Sequence, residues 1–158
     1  MATVFSNVRT DLTQDDPKEF VKANQLGGSV RVAHATFEAS SLASGDVIEM
    51  FALPQGARVL GGYLYNDALG SSTTLSVGHS AHTNGAGASV AADADEYLAA
   101  TSTSSAARTD IAATLALSAN TVVDISQSVI DNEFVVTATM GGAAGTGTIE
   151  LMMMYAVD

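Results

Sequence analysis

The last ten residues of the chain alternate. Ile149, Leu151, Met153, Tyr155 and Val157 share one face of an extended strand, the period of two that sets an apolar side against a core. The opposite face reads Thr148, Glu150, Met152, Met154 and Ala156, polar at first and apolar where it ends. A solvated sheet face stays polar. Met152, Met154 and Ala156 are therefore expected to be covered, by a second layer of the same domain or by another subunit. Of the two, the break in alternation is taken to predict a homo-oligomer that meets through these three residues.

Similar runs recur from about residue 28 onward, at 29–39, 46–53, 57–66, 73–78, 96–100, 121–126, 133–140 and 148–157, separated by clusters of Gly, Ser, Thr, Asn and Asp. Eight such strands predict an all-β fold, an antiparallel β-sandwich of jelly-roll-like form. Leu53-Pro54-Gln55-Gly56 is expected to make a tight turn, with Pro presetting its φ and Gly free to take a positive one. The small-residue stretch from Met140 to Gly147 is expected to close a final hairpin. Residues 110–118 remain open between irregular chain and a short helix capped by Asp110.

Residues 1–27 stand outside the strand pattern and read as an extended N-terminal arm, with the sandwich domain over 28–158. The arm's large apolar residues are few, and Asp16-Pro17 is suited to start a helical turn. An unpacked segment cannot offset roughly 1–2 kcal/mol of backbone entropy per residue, so the arm is expected to lie on its own domain or on a neighbour. Val4, Phe5, Val8, Arg9, Leu12 and Phe20 are its candidate contact residues.

Charge divides the chain near the same place. Residues 1–31 carry four basic and four acidic side chains, whereas the rest carries only Arg58 and Arg108 against thirteen acids, which accounts for the whole formal charge of −11. An acidic body repels phosphate backbones and anionic lipid heads, so neither nucleic acid nor a membrane surface is an expected partner. The 158 residues suit one domain. No cysteine is present, which removes disulfides, thiolate metal sites and thiol nucleophiles. The first twenty residues lack the apolar region of a secretory signal, and the longest apolar run, 151–157, is far too short to span a bilayer. A soluble chain made in the cytoplasm is expected.

Ligand chemistry gathers at one place, His79-Ser80-Ala81-His82 followed by Asp93, Asp95 and Glu96. Two imidazoles with carboxylates suit a transition metal, but metal sites of the cupin type need His-x-His with a nearby Glu, and His79-x-x-His82 does not match. Solvated loop histidines are the expectation. Asp93-Ala94-Asp95-Glu96 lacks the Gly and the distal Glu of a calcium loop. The glycine-rich stretches lack the Lys or the spacing of a phosphate cradle, and no Gly-x-Ser-x-Gly accompanies His34, His79 or His82. With no Trp, four Tyr and five Phe, stacking platforms for sugars or single strands are scarce. The reading is a scaffold, not an enzyme, with no catalytic residues, no cofactor and no bound metal.

Residues 51–155 resemble small virion proteins of tailed bacteriophages, the head decoration or cement proteins. The resemblance rests on Leu53-Pro54-Gln55-Gly56-Ala57-Arg58-Val59, on Thr74-Leu75-Ser76-Val77-Gly78, on Asp93-Ala94-Asp95-Glu96-Tyr97-Leu98-Ala99-Ala100-Thr101, and on the closing strand that ends Met154-Tyr155. It implies a homotrimeric β-sandwich on the outer capsid surface of the virion, with the major capsid protein as partner and the arm as a capsid contact. A lectin-like jelly roll is the competing class, opposed by the missing signal and scarce aromatics. A cupin-like metalloenzyme is the third, and it would need His79 and His82 to converge with Glu96 or His34.

Overall fold

The computed structural model describes residues 26–112 and 122–157, and within them the chain forms ten β-strands and no helix. They are β1 (Ser29–Leu42), β2 (Val47–Leu53), β3 (Arg58–Asn66), β4 (Thr73–His79), β5 (His82–Thr83), β6 (Ser89–Val90), β7 (Asp93–Ser102), β8 (Ala107–Ile111), β9 (Phe134–Gly142) and β10 (Gly145–Val157). Strands pair antiparallel as if one long hairpin had been rolled up: β1 with β10, β2 with β9, β3 with β8 and β4 with β7. The short β5–β6 hairpin sits at the bend. Further pairing of β10 with β3 and of β9 with β4 completes two four-stranded sheets, ordered β1-β10-β3-β8 and β2-β9-β4-β7. This is the jelly-roll sandwich that the spacing of strands and turns predicts.

One core lies between the sheets. Val59, Leu64, Ile149, Leu151 and Met153 from the first meet Leu53, Leu75, Val77, Val136 and Met140 from the second, all of them fully buried. In β10 the predicted period of two holds from Ile149 to Met153, and Tyr155 and Val157 continue it as half-buried residues packed against the same core. Burying an aliphatic side chain of this size stabilises by roughly 1.5–3 kcal/mol, so the alternation alone fixes which way β10 faces.

Several expectations change. The loop after Met140 does not close a hairpin, because β9 and β10 lie in opposite sheets. Gly142 turns the chain at φ +74, where a Cβ would meet the Ser72 carbonyl oxygen at 2.0 Å, and the crossing to the other sheet follows. Leu53-Pro54-Gln55-Gly56 is the expected tight turn, with the Ala57 N–H donating to the Pro54 carbonyl at 3.1 Å and Gly56 at φ +77, and it too crosses between sheets.

No strand runs through 122–126. Val122 makes an isolated bridge to Arg58, and the backbone beyond it bonds to the Gly56-Ala57 turn, to the Gln55 side chain and to Thr83. Strand β8, which was not expected, reaches into the start of the segment left open at 110–118, so Asp110 and Ile111 end a strand and do not begin a helix. The strand expected at 96–100 starts earlier, so Asp93 and Asp95 belong to β7 together with Glu96. Residues 1–25, which hold nearly all of the expected arm, and 113–121 lie outside the described residues.

Candidate functional site

Residues directly opposite each other in neighbouring strands point to the same side of a sheet. Across β1, β10 and β3 the rows on the outer side are therefore Val30, Ala156 and Arg58; Val32, Met154 and Gly61; His34, Met152 and Tyr63; and Thr36, Glu150 and Tyr65. Met152 and Met154 are half-buried on the side away from the core, as the alternation predicts, and Ala156 is buried between its neighbours. Two residues join them that the sequence reading missed. Val30 and Val32, 61% and 57% exposed, extend the apolar end of this face onto β1. Their alternation with Arg31 and Ala33 was the available signal.

At this end of β1 the residues of the other face, Ser29 and Arg31, are exposed as well. The other end of the outer face is polar. The Thr148 hydroxyl donates to Glu38 Oε2 at 2.8 Å, and His34 Nε2 lies 3.8 Å from Glu150 Oε2 with both side chains largely in water. Arg108 lies over the Tyr63 ring, 4.6 Å from its centre, within reach of cation–π attraction. An apolar band with a polar border is the layout of a contact surface.

The two histidines do come together. His79 at the end of β4 and His82 in β5 lie 5.3 Å apart between ring centres, and each packs on Phe134, at 4.9 and 5.0 Å. Nδ1 of each reaches the Ser80 carbonyl, at 2.9 and 3.3 Å. A carbonyl only accepts, so both rings carry a proton on Nδ1. They are half-buried against an aromatic floor instead of being solvated, which corrects the expectation of free loop histidines. Glu96 lines the same cleft. Among the described residues no three His, Asp or Glu side chains are placed to hold one metal ion.

Val4, Phe5, Val8, Arg9, Leu12 and Phe20, the expected contact residues of the arm, lie outside the described residues.

No family model matches this chain, and no curated protein matches it. Solved structures do. A chain of the capsid of Ralstonia phage GP4 matches with 23% identity and a TM-score of 0.60, over 83% of this chain and 86% of that one. A chain of the cyanophage Pam1 capsid asymmetric unit matches with 19% identity and a TM-score of 0.56, over 84% and 88%. In the acidic stable capsid structure of Helicobacter pylori bacteriophage KHP30, the identity is 19% and the TM-score 0.53, over 82% and 90%. At these identities the likeness is one of fold, and it spans nearly the whole of both partners.

Proposed function

We propose that this chain is a structural protein of a phage virion, a decoration or cement protein that seats on the outer surface of the head and stabilises contacts between major capsid subunits. One observation carries the reading: the jelly-roll sandwich matches chains of phage capsid structures over more than four-fifths of each length. The motifs from Leu53 to Tyr155 point the same way. In this reading the chain is no enzyme, needs no cofactor and engages neither nucleic acid nor membrane. Copies associate as a homotrimer through Met152, Met154 and Ala156, and the arm with Val4, Phe5, Val8, Arg9, Leu12 and Phe20 grips the shell. A modest interface repeated over many copies adds contact energy to a pressurised shell through multivalency.

The test is copy number in purified particles, together with rebinding of the purified protein to heads that lack it. Hundreds of copies per particle and saturable rebinding are expected. A dozen or fewer copies would move the protein to a neck or tail, and absence from particles would remove it from the virion.

A further inference from the structure

The bend of the rolled-up hairpin encloses a cleft of about 510 Å³. Its walls come from four separate stretches of chain: the His79 and His82 turn, the β6–β7 approach with Asp93 and Glu96, Asp124, and Phe134 at the start of β9. Two glycines let the walls close. At Gly78 a Cβ would sit 1.9 Å from the Asp93 carbonyl oxygen, so only glycine lets β7 press against β4 there. At Gly85 a Cβ would sit 2.5 Å from Asp124 Oδ1, the same oxygen that accepts from Gln55 Nε2 at 3.2 Å.

The lining is one-sided in charge. Asp93, Glu96 and Asp124 supply three carboxylates, and among the described residues no Lys or Arg lines the cleft. Asp93 Oδ1 accepts the backbone N–H of Asp95 at 3.1 Å, which fixes its carboxylate in place. The floor is aromatic, with the His79 and His82 rings packed on Phe134 at 34° and 62° to its plane, so that single ring faces and edges are presented. An anion is repelled by such a lining, and a metal ion does not find three ligands converging. The volume lies within the range of sites that hold an organic group. A planar cation with several N–H donors suits the polar part of this lining, because it can stack on one imidazole face while its edge meets a carboxylate. An ammonium is a point charge that can neither lie flat on a ring nor fork to a carboxylate, so it fits less well.

We infer that this cleft receives a guanidinium group, an arginine side chain presented by the surface on which the protein docks. Taking that surface to be the capsid shell rests on the function proposed above. The sandwich domain, with three basic residues against thirteen acids, is the electrostatic complement of a basic docking surface.

Two arms test this. In the first, N-acetyl-arginine amide, N-acetyl-lysine amide and N-acetyl-glutamate amide are titrated into the full chain while the His79, His82 and Phe134 ring signals are followed by NMR. The arginine amide is expected to shift all three saturably, the lysine amide more weakly and the glutamate amide not at all. Glu96→Gln and Asp124→Asn, each made singly, should weaken the arginine amide about tenfold, the worth of one charge-assisted hydrogen bond. Glu96 is half-buried and Asp124 exposed, so both variants should melt as the wild type does. No shift with arginine amide, or equal shifts with all three, would overturn the inference.

In the second arm a variant carrying both Glu96→Gln and Asp124→Asn is rebound to heads lacking the protein, and its occupancy should fall at least tenfold. Full occupancy would overturn the assignment of the cleft to the docking contact. If the wild type itself binds no head, the proposed function fails, and the amide titration still decides the cleft.

Discussion

Val32 and Met154 stand opposite each other in the β1–β10 ladder, and both turn away from the core, the first 57% exposed and the second half-buried. Their row continues to Gly61, which offers no side chain to cover them. Met152 lies in the next row. Replacing Met152 and Met154 together by Asp is expected to release folded monomers, because Ile149, Leu151 and Met153 keep the inner face intact. A fully buried Met is worth roughly 1.5–3 kcal/mol, and a trimer multiplies that loss around its axis. Light scattering on the double variant checks it. An oligomer of unchanged mass would show that copies meet elsewhere.

Met153→Ala is the inverse experiment. Met153 is fully buried between the sheets, so truncation should cost about 2–5 kcal/mol in denaturant unfolding. Under native conditions the oligomer mass should not change. A loss below about 1 kcal/mol, well under the cost of truncating a buried Met, would mean that β10 does not face the core in this way.

The fold was legible wherever burial enforces a period of two. Residues 57–66 and 148–157 alternate because each strand has one face on the core, and their bounds came within a few residues of β3 and β10. Strand β8 was not legible. Its Ala-Arg-Thr-Asp-Ile sits at the sheet edge with only Ile111 buried, so the sequence carries almost no alternation. Val122 to Ser126 misled in the opposite direction, since Val123 and Ile125 are buried in the core without joining a sheet. The apolar outer face was read from β10 alone. Its continuation on β1 depends on the register that sets Val30 beside Ala156 and Val32 beside Met154, which no local pattern encodes. The cleft was half visible: His79, His82, Asp93 and Glu96 are near in sequence, whereas Asp124 and Phe134 arrive only through topology.

Gly78→Ala should destabilise the domain more than Gly85→Ala. At Gly78 the added Cβ meets backbone, the Asp93 carbonyl oxygen at 1.9 Å and the Ala94 carbonyl carbon at 2.6 Å, and neither strand can yield without breaking the β4–β7 pairing. At Gly85 it meets the end of the Asp124 side chain, which can turn away. Overpacking of the first kind costs about 1–3 kcal/mol. Urea unfolding of both variants measures the difference, and equal stabilities would show that β7 does not press on β4 at this point.

Tyr97 gives the domain an alkaline limit. Its side chain is 5% exposed, and burial, with Glu96 and Asp93 nearby adding repulsion, pushes its phenol well above the ordinary range. The folded state therefore holds Tyr97 neutral at a pH where the unfolded chain, titrating near its usual value of about 10, has released the proton. A raised folded-state value contributes stability that is fully present below the unfolded value and is lost as pH climbs past it. Between about pH 10 and 12 the free energy of unfolding should fall with a limiting slope of roughly 1.4 kcal/mol per pH unit from this group. Tyr97→Phe keeps the ring in the core and removes the titration. The difference in stability between wild type and variant, measured by urea unfolding at successive pH values, should be flat below about pH 9 and should swing towards the variant above it. A difference that stays constant through pH 12 would show that the Tyr97 hydroxyl reaches water in the folded protein.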